Sequence, residues 1–192
     1  MPLNPPTLAT GFLTPNFLSV GNIGTGVPRL AMGIAIGVCQ YLTVQAKVQS
    51  QDTGTLGVGT TIFPLLVPPP LLQAALLQGF AAMGIMGIMA PLTITGLANG
   101  LTSGWGSTAL LSIQHPSVGT GAGVARIVAP SAAQAMIQGF AAMAMTGEGP
   151  TKMARAIGVG LDVCFASFFT AVPIVGSAST SGGVGVGLGS VI

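Results

Sequence analysis

The chain has 192 residues; 50% are hydrophobic and only 4% are Asp, Glu, Lys or Arg, against roughly a quarter charged in an ordinary soluble domain. Its five cations and three anions leave a net charge of +2, too small and too scattered for a nucleic-acid footprint. A surface this poor in charge does not keep a free monomer dispersed, so the chain reads as one covered by lipid or by other protein chains.

Taken in order, residues 1–29 read as a Pro/Gly-rich N-terminal arm. Pro2, Pro5 and Pro6 break any apolar helix there, and no cationic start marks a secretory signal. Leu30 to about Val48 reads as a helix, although its glycines cost about 1 kcal/mol each relative to Ala. Thr53–Val67 is β-branched and Gly-rich and reads as extended. Pro70 starts a helix from near Leu71 through Met89, and Pro91 ends it. Thr93 to about Ile113 is the next helix, and Ser117–Ala129 the next extended arm. Ser131 caps an Ala/Met-rich helix between Pro130 and Met145. Thr151 to about Thr170 is helical, and Ser179–Ile192 is the last extended arm. Glycines alternating with Val, Leu or Thr give such an arm one bare face, along which another backbone can approach closely.

Internal similarity organises these elements. Gln78-Gly79-Phe80-Ala81-Ala82-Met83 returns 60 positions later as Gln138-Gly139-Phe140-Ala141-Ala142-Met143. Gly57-Val58-Gly59 returns as Gly121-Ala122-Gly123 and as Gly185-Val186-Gly187, 64 positions apart each time. Ala35-Ile36-Gly37-Val38 returns as Ala156-Ile157-Gly158-Val159, and Gly21 to Pro28 is a further partial match to the Gly-x-Gly phrase. The expected fold is mainly α, with about two and a half tandem helix–extended Gly-rich arm–helix repeats of roughly 62 residues. The repeats span 30–92, 93–150 and a partial 151–192 that closes on the Gly-rich C-terminal arm.

Catalytic chemistry finds little support. Nucleophilic catalysis needs a base beside Ser or Cys, and the one histidine, His115, sits in a turn-like Gln114-His115-Pro116. One His, two distant Cys and three acids do not make a metal site, and Asp52, Glu148 and Asp162 lie too far apart in sequence for a paired-carboxylate mechanism. No Gly-Lys-Ser/Thr follows any Gly-x-Gly copy, so these phrases read as close backbone packing rather than phosphate loops. The reading is therefore no enzyme, with no catalytic residue, cofactor or metal. Cys39 and Cys164 read as buried free thiols. With Pro150 between them, Glu148 and Lys152 read as a solvated turn rather than a salt-bridged helix, and Asp162 as an ion-pair partner for Arg155 or Lys152.

Phe80 and Phe140 are large anchors beside small residues, and Met83 and Met143 add adaptable apolar surface. With Gly57, Gly59, Gly121, Gly123, Gly185 and Gly187, they are the expected oligomer interface. The competing reading is a small polytopic membrane protein, such as a channel or holin-like factor, with Leu71 to Leu92 as its spanning helix. Gln73 and Gln78 inside that run, the absence of Trp/Tyr belts and of cationic flanks, and the bare amides of the glycine arms all favour assembly.

The phrases Ala156-Ile157-Gly158-Val159-Gly160-Leu161, Val118 to Gly123 and Pro130 to Ala135 resemble small, uncharged virion structural proteins of tailed bacteriophages. The resemblance runs from about Gly33 to Ile192 and rests on pattern and composition. It implies a homo-oligomeric structural role among other virion proteins, with tail or baseplate favoured and contractile injection machines fitting equally. The expected location is the virion, or alternatively a membrane, and contact with lipid stays open. The Pro-rich start, Met1 to Pro15, departs from the pattern.

Overall fold

The computed structural model describes residues 4–44, 47–53, 58–62, 69–106, 110–114, 119–125, 132–167, 170–177 and 184–190. The chain is mainly helical. A π-helical segment, Thr7–Leu13, runs into α1 (Thr14–Ser19). There follow α2 (Gly26–Val44), β1 (Lys47–Thr53), β2 (Val58–Ile62), α3 (Pro69–Ala82), α4 (Met89–Gly106), β3 (Leu110–Gln114), β4 (Gly119–Ala125), α5 (Ala132–Ala142), α6 (Glu148–Ser167), β5 (Thr170–Ser177) and β6 (Val184–Ser190).

Helices contact chiefly helices, and strands chiefly strands. The helices follow one another around a closed circuit: α2 on α3, α3 on α4, α4 on α5, α5 on α6, α6 on the π-helical segment, and that segment back on α2. The strands are all antiparallel in their pairing, with order β1-β6-β5-β4 in one sheet and β2-β3 in a second. The registers run Lys47↔Ser190 to Thr53↔Val184, Ile174↔Gly189 to Ser177↔Val186, Gly119↔Gly176 to Ala125↔Thr170, and Val58↔Gln114 to Ile62↔Leu110. Because β1 also lies beside β2 and β3 beside β4, the strands too follow one another around a circuit.

The helix ends explain where the sequence boundaries failed. Each short helix stops on a residue of left-handed backbone: Gly21 (φ 80°), Gly84 (φ 65°) and Ala144 (φ 57°). There the Gly21 amide donates to the Leu18 carbonyl and the Asn22 amide to that of Phe17. The same pair of bonds recurs from Gly84 to Ala81 and Ile85 to Phe80, and from Ala144 to Ala141 and Met145 to Phe140. This is the Schellman arrangement that satisfies a helix's last carbonyls. A long helix begins within a few residues, and Pro28, Pro91 and Pro150 are each its third residue, where proline's missing N–H would have had no intrahelical acceptor.

The helix expected from Leu71 through Met89 is therefore two helices, with a turn at 83–88, and Pro91 opens α4 rather than closing α3. The Glu148–Lys152 pair is likewise a helical ion pair, with Nζ 2.5 Å from Oε1, because Pro150 sits in the tolerated first turn. Residues 1–29 are not a loose arm where described: Leu8, Leu13 and Phe17 are fully buried, since Pro5, Pro6 and Pro15 stand at or near helix starts. The boundaries at 29/30, 92/93 and 150/151 fall inside α2, α4 and α6. Gly21 to Pro28 is a helix-to-helix turn that runs into the first residues of α2, not an extended segment. Strands β3 and β5, and β1 up to Asp52, occupy stretches read as helix or left unassigned; Ser131, His115 and Gly57 lie outside the described residues.

The core runs through the helices. Ala31, Ile34 and Val38 of α2, Ile94, Leu97 and Leu101 of α4, and Ala154, Ile157 and Leu161 of α6 are buried in one cluster. Their spacing of three and four keeps one face of each helix inward. The short helices contribute Leu8, Leu13, Phe17, Leu72, Leu76, Phe80, Met136 and Phe140. Burying each of the larger ones stabilises the fold by about 1.5–3 kcal/mol. Glycines bring the helices close. A Cβ at Gly37 would lie 2.6 Å from Leu76 Cα, and one at Gly100 would lie 2.8 Å from Met136 Cα. A Cβ at Gly79 or Gly139 would overlap the carbonyl oxygen of Gly33 or Gly96. The Gln40 side-chain amide donates to Gln78, tying α2 to α3.

Candidate functional site

One end of the helical body gathers the three helix-to-helix turns. Residues Gly21–Gly24 of the first turn, Met83–Ile85 of the second and Met145 of the third line one open cavity of about 790 Å³, together with the first turns of α2, α4 and α6. Phe17 forms part of its floor, and Arg29, Met89 and Met153 part of its wall. Ile23 (81% exposed), Met86 (86%) and Ile88 (88%) are the most exposed of the large hydrophobic side chains described. They stand outside the core because the left-handed turn residues fold the last carbonyls inward and leave the next side chains at the tip.

Charge collects at the same end. Arg29 lies in the first turn of α2, and Lys152 and Arg155 in the first two turns of α6; all three are exposed. The Lys152 ammonium holds the Glu148 carboxyl below its usual range, by hydrogen bond and by charge.

The sequence-predicted interface residues separate into three groups. Phe80 and Phe140 are buried at 1% exposure each in the chain's own core, so neither anchors a neighbouring subunit: each begins a Schellman turn and faces inward. Met83 and Met143 are half-buried, Met83 against the cavity and Met143 against the core. Gly59, Gly121, Gly123, Gly185 and Gly187 pair within the chain, opposite Ile113, Ile174, Val172, Asp52 and Ser50 respectively. Gly187 also pairs with Gly176. These glycine segments are thus strands bonded to other strands of the same chain.

Comparison with protein families, with curated proteins and with solved structures finds no match.

Two further groups carry chemistry. Asp162 on α6 accepts hydrogen bonds from the backbone amides of Ala132 and Ala133 at the start of α5, while its Oδ1 is buried with no hydrogen-bond partner. Desolvation pushes its carboxyl up to about 6, against the pull of those amides. Asp162 therefore caps a neighbouring helix, where the sequence suggested a partner for Arg155 or Lys152. The sequence carried a signal for this: Gly158 lies one helical turn before Asp162 and admits the α5 backbone, at Ala132 and Ala133, against α6. Cys39 and Cys164 are buried thiols outside any disulfide. Burial pushes both thiols up to about 12, and Cys39 is raised further by the nearness of Cys164. Thiols so raised are neutral and poor nucleophiles. Among the described residues, no group of three His, Cys, Asp or Glu side chains comes together to hold a metal.

Proposed function

We propose that the chain is a structural subunit of a phage virion or phage-like contractile particle, with tail or baseplate favoured, and that it assembles with copies of itself and with other virion proteins. The observation that carries this reading is one packing arrangement met three times around the helical circuit. Gly37 of α2 packs on Leu76 of α3, Gly100 of α4 on Met136 of α5, and Gly160 of α6 on Leu13 of the π-helical segment. Each long helix is thus seated on the next short helix by a glycine, and the third contact returns to the start.

The turns support the same reading. Phe17, Phe80 and Phe140 accept equivalent bonds, and Pro28, Pro91 and Pro150 open equivalent helices. We therefore propose three units, 7–62, 69–125 and 132–190, each a short helix, a long helix and two strands, in place of units starting at 30, 93 and 151. A single chain with three like units around one axis suits a particle built on three-fold or six-fold symmetry. The scarcity of charge suits a chain covered by neighbours.

Fractionation of the native source tests the reading. The chain is expected to travel with lipid-free particles. Recovery instead in membranes that survive carbonate washing overturns it and restores the membrane-protein alternative. Among the described residues no helix is long and apolar enough to cross a membrane.

A further inference from the structure

The turn-bearing end of the helical body combines exposed apolar tips with unpaired positive charge, and we propose that it docks on the surface of an anionic phospholipid bilayer. This inference stands apart from the assembly reading, and concerns contact with a membrane surface rather than passage through it. Ile23 leads the first turn, and Met86 and Ile88 lead the second, at 81%, 86% and 88% exposure. Large apolar side chains held this far from the core on tight turns can enter the headgroup layer without moving a helix. The amides at the base of the turns, those of Gly21, Asn22, Gly84 and Ile85, are bonded within the chain, and a docked tip reaches only the headgroup layer, where water still serves the amides beyond them.

Charge complementarity selects the occupant. The first two turns of α2 and α6 bring Arg29, Lys152 and Arg155 to this end, against the single anion Glu148, which Lys152 already holds. All three long helices also direct their N-termini, the positive ends of their dipoles, to this end. A second copy of the chain docking tip to tip would set these like charges against each other, whereas phosphate headgroups match them. Neither a few cations nor a few apolar side chains hold a protein on a bilayer alone; the two together do.

Flotation of the full-length chain with phosphatidylcholine vesicles, with and without phosphatidylglycerol, tests the proposal. Partition is expected to be at least about tenfold stronger onto the anionic vesicles and to weaken as salt rises. Combining Ile23→Ser, Met86→Ser and Ile88→Ser should lower that partition by about tenfold or more. The far-ultraviolet circular dichroism should stay unchanged, since these side chains are more than four-fifths exposed. Arg29→Gln with Arg155→Gln should bring anionic vesicles down towards the phosphatidylcholine level. Equal partition onto both vesicle types, or undiminished partition of the serine variant, overturns the proposal. So does a chain that ignores vesicles but self-associates through the same three side chains, which would make a second copy the occupant.

Discussion

Among the described residues, Asp162 is the carboxyl that burial shifts towards neutral pH. Burial lifts its carboxyl from an ordinary 3.8 to about 6 in the folded chain, so between those values the folded state holds a proton that the unfolded state has released. Stability from this group is therefore fullest below about pH 4 and is lost as pH rises through about 6. Once solvent screening at a half-buried carboxylate is allowed for, the loss is about 1 kcal/mol. Asp162→Asn keeps an oxygen for the Ala132 and Ala133 amides and removes the charge. Urea titrations at pH 4 and pH 7 should find the difference between wild type and variant moving by about that amount in the variant's favour; a constant difference would refute it. Asp162→Ala, which orphans both amides, should cost about 1–2 kcal/mol at either pH. Ala144 is a second strained residue, the sole non-glycine with positive φ among those described. It is exposed and stands where the other two turns have Gly21 and Gly84. Ala144→Gly should stabilise by about 0.5–1 kcal/mol and Gly84→Ala should destabilise by about 1 kcal/mol. A Cβ at Gly84 meets nothing within 4 Å, so the midpoint shifts in thermal melts would report backbone strain alone.

At the scale of the element, the glycines decide which helices touch. Gly79→Ala and Gly139→Ala each place a methyl onto a carbonyl of the facing long helix, and neither backbone can retreat without losing the Phe80 or Phe140 seat. Each should destabilise by about 2–4 kcal/mol. Gly149→Ala, in the first turn of α6 with open space around its Cβ, should instead be neutral or gain up to about 1 kcal/mol. Chemical denaturation of the three variants checks the contrast; equal effects would mean propensity outweighs packing. These same glycines explain what the sequence made legible. Helical character was readable from the apolar spacing of Ala31, Ile34 and Val38 and from the paired Gln-Gly-Phe-Ala-Ala-Met phrases. The helix-to-helix turn was not, because Gly84-Ile85-Met86-Gly87 is as apolar as its flanks and periodicity alone reads straight through it. Only the proline a short way beyond, Pro28, Pro91 or Pro150, marks a fresh start there. Phe80 stands out in the sequence as a large side chain among small ones, but burial inside a chain and burial between chains look alike in sequence. The exposed tip went unseen for the opposite reason: Ile23 and Met86 have the composition of core residues, and only the turn geometry turns them outward.

The described elements close twice, once through the helices and once through the strands. The chain passes from helix to strand and back repeatedly, with β1 and β2 before α3, β3 and β4 before α5, and β5 and β6 after α6. Cys39 of α2 and Cys164 of α6, helices joined in the circuit through the π-helical segment, lie near enough that charge on Cys164 raises Cys39. Both lie in the single helical cluster, so exposing either requires that cluster to open. A thiol raised to about 12 leaves almost no thiolate at pH 8, and its burial denies a reagent access as well. Treated with an aromatic disulfide reagent at pH 8, the native chain should therefore react at neither cysteine over minutes, and at both once denatured. If the helical circuit is one cooperative body, Cys39→Ser and Cys164→Ser variants should label their remaining thiol at the same rate across a urea series. The slope of log rate against urea should then match the global unfolding slope. A Cys164 that labels early, with a shallow slope, would instead mean that α6 detaches from the π-helical segment on its own, and that the third glycine contact, Gly160 on Leu13, is the weak joint of the ring.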